Sequence, residues 1–140
     1  MLVRDVMTTD IVTVPVEATL QTAVGELLEH EVGSVLVLED GTPTGLVTET
    51  DALEAAHSTG EPLAAIDLRR FCESGVVTTA PDRTVQTVAR RMTEEGVKKL
   101  PVLDDLDVVG IVTLTDIVYH LSDIRSEAET LAERHYDWSR

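Results

Sequence analysis

Two short stretches carry the polar groups best suited to chemistry. Thr48-Glu49-Thr50-Asp51 and Thr113-Leu114-Thr115-Asp116 each follow an apolar run and precede a segment with helical spacing. A strand that enters a helix through such a turn offers several contacts at once. The helix start has unpaired backbone N–H groups and the positive end of the helix dipole, which suit a phosphate. A Thr hydroxyl donates to a phosphate oxygen, and an Asp carboxylate accepts from the vicinal hydroxyls of a ribose. The same residues have a plainer use, because Asp opening a helix caps it for about 1 kcal/mol. The two roles are not exclusive.

Other residue types exclude whole classes of function. The chain has no Gly-rich phosphate loop, no dinucleotide fingerprint and no triad spacing. An enzyme needs a general base beside a nucleophile, and here only Thr and Asp share a turn, so no catalysis is expected. His30, His57, His120 and His135 lack short ligand spacing, and no metal site is expected. Cys72 is the only cysteine, so no internal disulfide forms, and its apolar segment marks it as a small buried residue. Arg90 and Arg91 fall on the polar face of a helical pattern and read as solvated.

The elements that must hold the two turns come from a repeat. Asp51 and Asp116 stand 65 residues apart, and that offset aligns residues 3–56 with 68–121 without a gap. It matches Arg4 with Arg69, Thr13 with Thr78, Thr19 with Thr84, Gln21 with Gln86 and Gly45 with Gly110. Each copy reads as strand, helix, strand, strand, helix. In the first, residues 3–7 form a short segment and β-branched 11–14 a strand stopped by Pro15. Thr19 caps a helix with Leu20, Ala23, Val24, Leu27 and Leu28 on one face, and Gly33 ends that region. Residues 35–38 form a buried strand, Asp40-Gly41 a hairpin turn, and 44–47 the returning strand. Asp51 opens a helix that Gly60 and Pro62 close. In the second copy, 76–79 is the first strand, Thr84 caps the helix of Val85, Val88, Ala89 and Met92, and Gly96 sits at its end. Residues 100–103 and 108–112 form the hairpin. The expected units are residues 1–57 and 68–122, a linker at 58–67, and a helical extension and tail at 123–140. The last helix is expected to run on unbroken through the tail. Its stripe of Ile117, Leu121, Ile124, Ala128 and Leu131 packs either on its own domain or on a second copy. Tyr136 and Trp138 order the last residues only if they dock.

A single copy of this length is marginal alone, so two copies covering each other's sheets favour one intimate domain. The core must be aliphatic, because 43% of the chain is hydrophobic but only 3% aromatic. The net charge of -15, from 26 acidic and 11 basic residues, argues against nucleic acid and anionic membranes. Low Lys with high Asp and Glu fits a salt-loving archaeon, the alternative being an ordinary acidic cytosolic protein. No apolar run or leader pattern points to a membrane or export, so a soluble cytoplasmic protein is expected.

The paired motifs resemble a known family. Lys98-Lys99-Leu100-Pro101-Val102-Leu103-Asp104 followed by the 110–116 stretch, and the parallel stretch through Gly45 to Asp51, are similar to tandem cystathionine-β-synthase (CBS) domains. Such a pair is called a Bateman module. Copy one departs from the pattern at Leu36, where Pro is usual, and at Gly33-Ser34, where polar or basic residues are frequent. The resemblance implies an α/β fold of two tandem β-α-β-β-α repeats packed as one pseudo-two-fold module. It implies a non-catalytic regulatory module that binds adenosine ligands between the repeats: AMP, ADP or ATP first, S-adenosylmethionine or NAD less so. By that resemblance Asp51 and Asp116 grip ribose, Thr48 with Thr50 and Thr113 with Thr115 lie near phosphate, and Thr13 and Thr78 mark the backbone that reads adenine. Lys98 and Lys99, the only lysines, meet phosphate; otherwise they are two solvated cations, for which a surface ion pair gives under about 1 kcal/mol. The lysines mark the 113–116 turn as the stronger half. A homodimer and a separate effector protein are implied, and the alternative is a purely structural dimerisation module with empty clefts.

Overall fold

A computed structural model describes residues 1–135, and Tyr136, Trp138 and the rest of the tail lie outside the described residues. The first half contains β1 (Thr13–Pro15), α2 (Leu20–His30), β2 (Ser34–Glu39), β3 (Thr42–Thr48) and α3 (Glu49–Thr59), preceded by the single turn α1 (Val3–Val6). The second half contains α4 (Val85–Glu95), β4 (Lys99–Asp104), β5 (Asp107–Thr113), α5 (Leu114–Tyr119) and α6 (Leu121–His135). Two 3-10 turns, Leu63–Ala65 and Leu68–Phe71, join the halves. This is the α/β architecture of two repeats that the sequence predicts.

In the first sheet β1 runs parallel to β2, and β2 pairs antiparallel with β3. The hairpin turn works as expected, with Asp40 and Gly41 both at positive φ (50° and 80°). The first strand is later than expected, and Pro15 ends it from inside; Pro is tolerated because β1 is an edge strand. The second sheet has only β4 and β5, and the expected strand at 76–79 reduces to one parallel bridge, Thr79 to Val102. Pro101 explains the loss. In the first half Leu36 N–H donates to Val12 O at 2.9 Å, and the offset puts Pro101, which has no N–H, at the position of Leu36. Only the bonds around Thr79 survive, from Thr79 N–H to Pro101 O and from Leu103 N–H to Thr79 O, both 2.9 Å.

The helices follow their apolar stripes with particular exceptions. On α2, Leu20, Ala23 and Leu27 are buried and Val24 partly so, but Leu28 faces solvent at 74% exposure. Thr19 is the N-cap without a side-chain bond, whereas Thr84 Oγ1 accepts from Thr87 N–H at 3.1 Å. The chain leaves α2 at Glu31 rather than at Gly33: Glu31 takes the left-handed conformation (φ 52°) that Gly96, its counterpart, takes after α4 (φ 66°). The last helix is broken. The backbone at His120 (φ -92°, ψ 8°) ends α5, and α6 starts anew. Of the stripe, Ile117 is buried and Ile124 packs beneath it, while Leu121 and Leu131 stay more than half exposed.

The core forms two clusters, and each takes an arm from the other half. Val3 and Val6 lie buried among Val85, Val88, Leu100, Val102 and Val112. Ile66 and Leu68 lie buried among Leu20, Val35, Val37 and Val47. Backbone bonds fix both arms: Val3 N–H to Arg83 O at 2.9 Å, and Leu20 N–H to Ile66 O at 2.9 Å. Val3 and Leu68 are counterparts at the same offset, and both are fully buried. The arms cross the sheets at glycines. A Cβ on Gly45 would stand 2.7 Å from Phe71 O and Cys72 Sγ; one on Gly110 would stand 2.8 Å from Met7 Sδ and 2.9 Å from Thr8 O. The repeated glycine therefore reflects close backbone approach.

A candidate ligand-binding cleft

Each turn is built by a reciprocal capping box. Thr48 is the N-cap of α3 and Asp51 its third residue, not its first. Thr48 Oγ1 accepts from Asp51 N–H at 3.1 Å, and Asp51 Oδ2 accepts from Thr48 N–H at 3.0 Å. The second turn repeats this, with both Thr113–Asp116 bonds at 3.0 Å. Capping thus uses one carboxylate oxygen and one lone pair of the hydroxyl. The other carboxylate oxygen can still accept, and the Thr O–H can still donate. Asp51 and Asp116 are both half-buried, so each is rigid yet reachable.

The surroundings of the two turns differ. A cleft of about 780 Å³ is lined by Thr48, Thr50 and Asp51 from the first half and by Lys98 and Lys99 from the second. Phe71, Val76, Val77, Val97 and Leu46 give it apolar walls. Lys99 pairs with Thr113 across the β4–β5 ladder, yet its ammonium stands 3.2 Å from where a Gly33 Cβ would be, at the edge of this cleft. The lysines therefore join the 48–51 turn and not the 113–116 turn. That reverses the expectation that they strengthen the second half. The sequence placed them correctly beside β4, but a strand's side chains and its ladder partners point in different directions.

Thr113, Thr115 and Asp116 are outside the lining of this cleft, as are Thr13 and Thr78. Val76 and Val77, next to Thr78, do line it. Thr13 borders a second groove of about 490 Å³ with Asp10, Ile11, Val12, Glu26, His30 and Val32. Sequence reasoning missed Phe71, Gly75 and Gly96 as lining residues. Phe71 is the only phenylalanine, and that rarity was the available signal. It also missed that Glu26, Glu29 and His30 bring ligand-type atoms within 4.8 Å of one another. Helical i,i+4 spacing accounts for the His30–Glu26 contact (2.9 Å) on the exposed side of α2. Among the described residues no helix is long and apolar enough to cross a membrane.

Two repeats that share a cleft and exchange arms define a module of paired repeats. The chain belongs to the CBS domain family, whose pattern matches residues 3–58 and 68–123. It is 26% identical over 129 residues to the CBS domain-containing protein YhcV of Bacillus subtilis, covering 92% of this chain and 91% of that one. It is 30% identical over 136 residues to the uncharacterized protein MK0525 of Methanopyrus kandleri, covering 93% of this chain and 67% of that one. Among solved structures it is similar to the CBS domain pair of protein MJ0100, in complex with 5′-methylthioadenosine and S-adenosyl-L-methionine. That likeness has a TM-score of 0.76 at 25% identity and covers 88% of this chain and 97% of the other.

Proposed function

We propose that this CBS pair is a non-catalytic sensor of adenosine ligands, with AMP, ADP or ATP as first candidates and S-adenosylmethionine or NAD after them. One observation carries the reading: Thr48, Thr50 and Asp51 meet Lys98 and Lys99 in a single cleft of about 780 Å³. That volume is within the range of about 300–1,000 Å³ usual for small-molecule sites. The free oxygen of Asp51 would accept from the ribose hydroxyls. The hydroxyls of Thr48 and Thr50, the start of α3 and the two ammonium groups would meet phosphate. Adenine would lie against Phe71, Val76 and Val77. Asp116, Thr113 and Thr115 would form a second ribose site, with Thr13 and Thr78 beside the two adenine-reading backbones.

A bound ligand would touch both repeats, so it biases any two arrangements of them by its differential affinity. The output passes to a separate effector protein. The module works as a cytoplasmic homodimer, with working units at residues 1–57 and 68–122, a linker at 58–67 and an extension at 123–140. Its charge is an adaptation to high salt. Isothermal titration at about 1 M KCl, where the Debye length falls to about 3 Å, tests the sensing function. Heat of binding is expected for AMP or ATP, and no heat from any of the five ligands sinks the reading.

A second reading has its own observation. Leu53 on α3 and Val118 and Tyr119 on α5 are 72%, 60% and 83% exposed, large apolar side chains suited to assembly without ligand. It predicts dimers that ignore nucleotides and Asp51→Ala alike.

A further inference from the structure

Glu49, Asp51 and Glu95 line the same cleft as Lys98 and Lys99, so an anionic ligand entering there meets carboxylates as well as ammonium groups. One of those carboxylates has a defined place. Glu49 opens α3, and its backbone N–H donates to Gly33 O at 3.3 Å. A Cβ built on Gly33 would stand 3.2 Å from Lys99 Nζ and 3.8 Å from Glu49 Oε1. The side-chain ends of Glu49 and Lys99, which come from opposite halves, therefore share the space above Gly33. The backbone at Gly33 is outside the left-handed region, so the position uses the missing side chain and not a special φ. Among the described residues neither Glu49 nor Lys99 closes an ion pair, and both charges remain open to an arriving group. The arrangement is no by-product of the repeat. At the offset of 65 residues Glu49 corresponds to Leu114 and Lys99 to Ser34, so the second turn has neither charge.

We infer that Glu49 is a specificity-determining residue of this cleft: its carboxylate competes with the ligand for the Lys99 ammonium above Gly33. An adenosine without phosphate has no group to enter that competition and leaves the two side chains as they are. A phosphorylated one brings several negative charges and draws Lys99 to itself, against the attraction of Glu49. Glu49 thus sets how much anionic charge a ligand needs before it engages Lys99. Because Glu49 is on α3 and Lys99 on β4, the exchange also removes an attraction between the halves, and only a phosphorylated ligand does so. The inference rests on the adenosine-sensing reading.

The test is calorimetric titration of four full-length chains with ATP and with adenosine at about 0.1 M KCl, where charges are least screened. The chains are the parent, Glu49→Gln, Lys99→Ala and the double variant. Glu49→Gln is expected to tighten ATP by about 3- to 10-fold and to leave adenosine within about 2-fold. In the Lys99→Ala background the same substitution is expected to lose most of its effect on ATP, the coupling that a double-mutant cycle isolates. Glu49 is exposed and Lys99 half-buried, so the variants keep the fold, which circular dichroism checks. An ATP affinity unchanged by Glu49→Gln, an equal gain for adenosine, or the full gain persisting without Lys99 overturns the inference while sensing stands. Silence of the parent chain toward both ligands overturns the sensing reading and the inference together.

Discussion

Replacing Asp51 separates what its two oxygens do. Oδ2 accepts from the part-buried Thr48 N–H at 3.0 Å, so Asp51→Ala leaves that donor without its partner. Loss of such a cap costs about 1–2 kcal/mol. For a chain of 140 residues this lowers the melting temperature by about 3–8 °C. Asp51→Asn keeps an acceptor in the same place and should lower it much less. Asp116 makes the equivalent bond at 3.0 Å, so Asp116→Ala should match Asp51→Ala in stability. Binding is expected to divide the variants differently. A carboxylate that accepts from a ribose contributes about 1.5–3 kcal/mol, so Asp51→Ala should weaken ATP by about 10- to 150-fold. Asp51→Asn should weaken it too, despite its near-normal stability, and Asp116→Ala should leave ATP affinity at the cleft of the 48–51 turn alone. Thermal denaturation without ligand and titration calorimetry at matched salt give the two readouts. If Asp51→Ala melts early but binds ATP like the parent chain, Asp51 is only a cap and the ribose assignment is wrong.

Gly45→Ala should destabilise by about 1–3 kcal/mol, because the new Cβ meets the Phe71 carbonyl at 2.7 Å, and chemical denaturation measures it. Gly110→Ala should cost about as much, since its Cβ would meet the Thr8 carbonyl at 2.9 Å; a negligible cost at both positions would contradict the arm crossing. Leu53→Asp with Val118→Asp should convert a dimer into a monomer of 15.3 kDa by light scattering, and a monomeric parent chain would refute the proposed interface. The melting temperature should climb from about 0.1 M to about 1 M KCl as self-repulsion of the -15 charge is screened, whereas a flat or falling profile would argue against salt adaptation.

Much of the fold was legible because binary patterning reports burial directly. The β2–β3 and β4–β5 hairpins, the α4 stripe and the cap at Thr84 all lie where spacing puts them. What spacing leaves open is the identity of the neighbour. Val3 and Leu68 read as apolar and are fully buried, but nothing in their local pattern says that each packs on the opposite repeat. The missing strand at 76–79 was legible in hindsight from Pro101, a residue on the partner strand rather than in the segment itself. No Gly or Pro at Tyr119-His120 marks the break between α5 and α6, and the sequence offers no physical account of it. The turns were found from their residues. Which lysine faced which turn required the three-dimensional path of β4.

The arm exchange also bears on how occupancy of the cleft could be felt elsewhere. Phe71 lies on the arm that packs against the first half, and its chain continues through Ser74 and Gly75 to Val77, which packs in the second core. These residues and the 48–51 turn line the same cleft. A ligand held there touches the β3–α3 corner, the crossing arm and the start of β4 together. The arm has little room to slide, because Phe71 O already lies against Gly45. Any shift that ligand binding selects must therefore carry the arm and the first sheet as a unit, and move the second half against them. The fold thus favours a rigid-body change between halves over local loop closure. Ligands differing only in phosphate would shift that equilibrium by no more than their difference in affinity for the two arrangements.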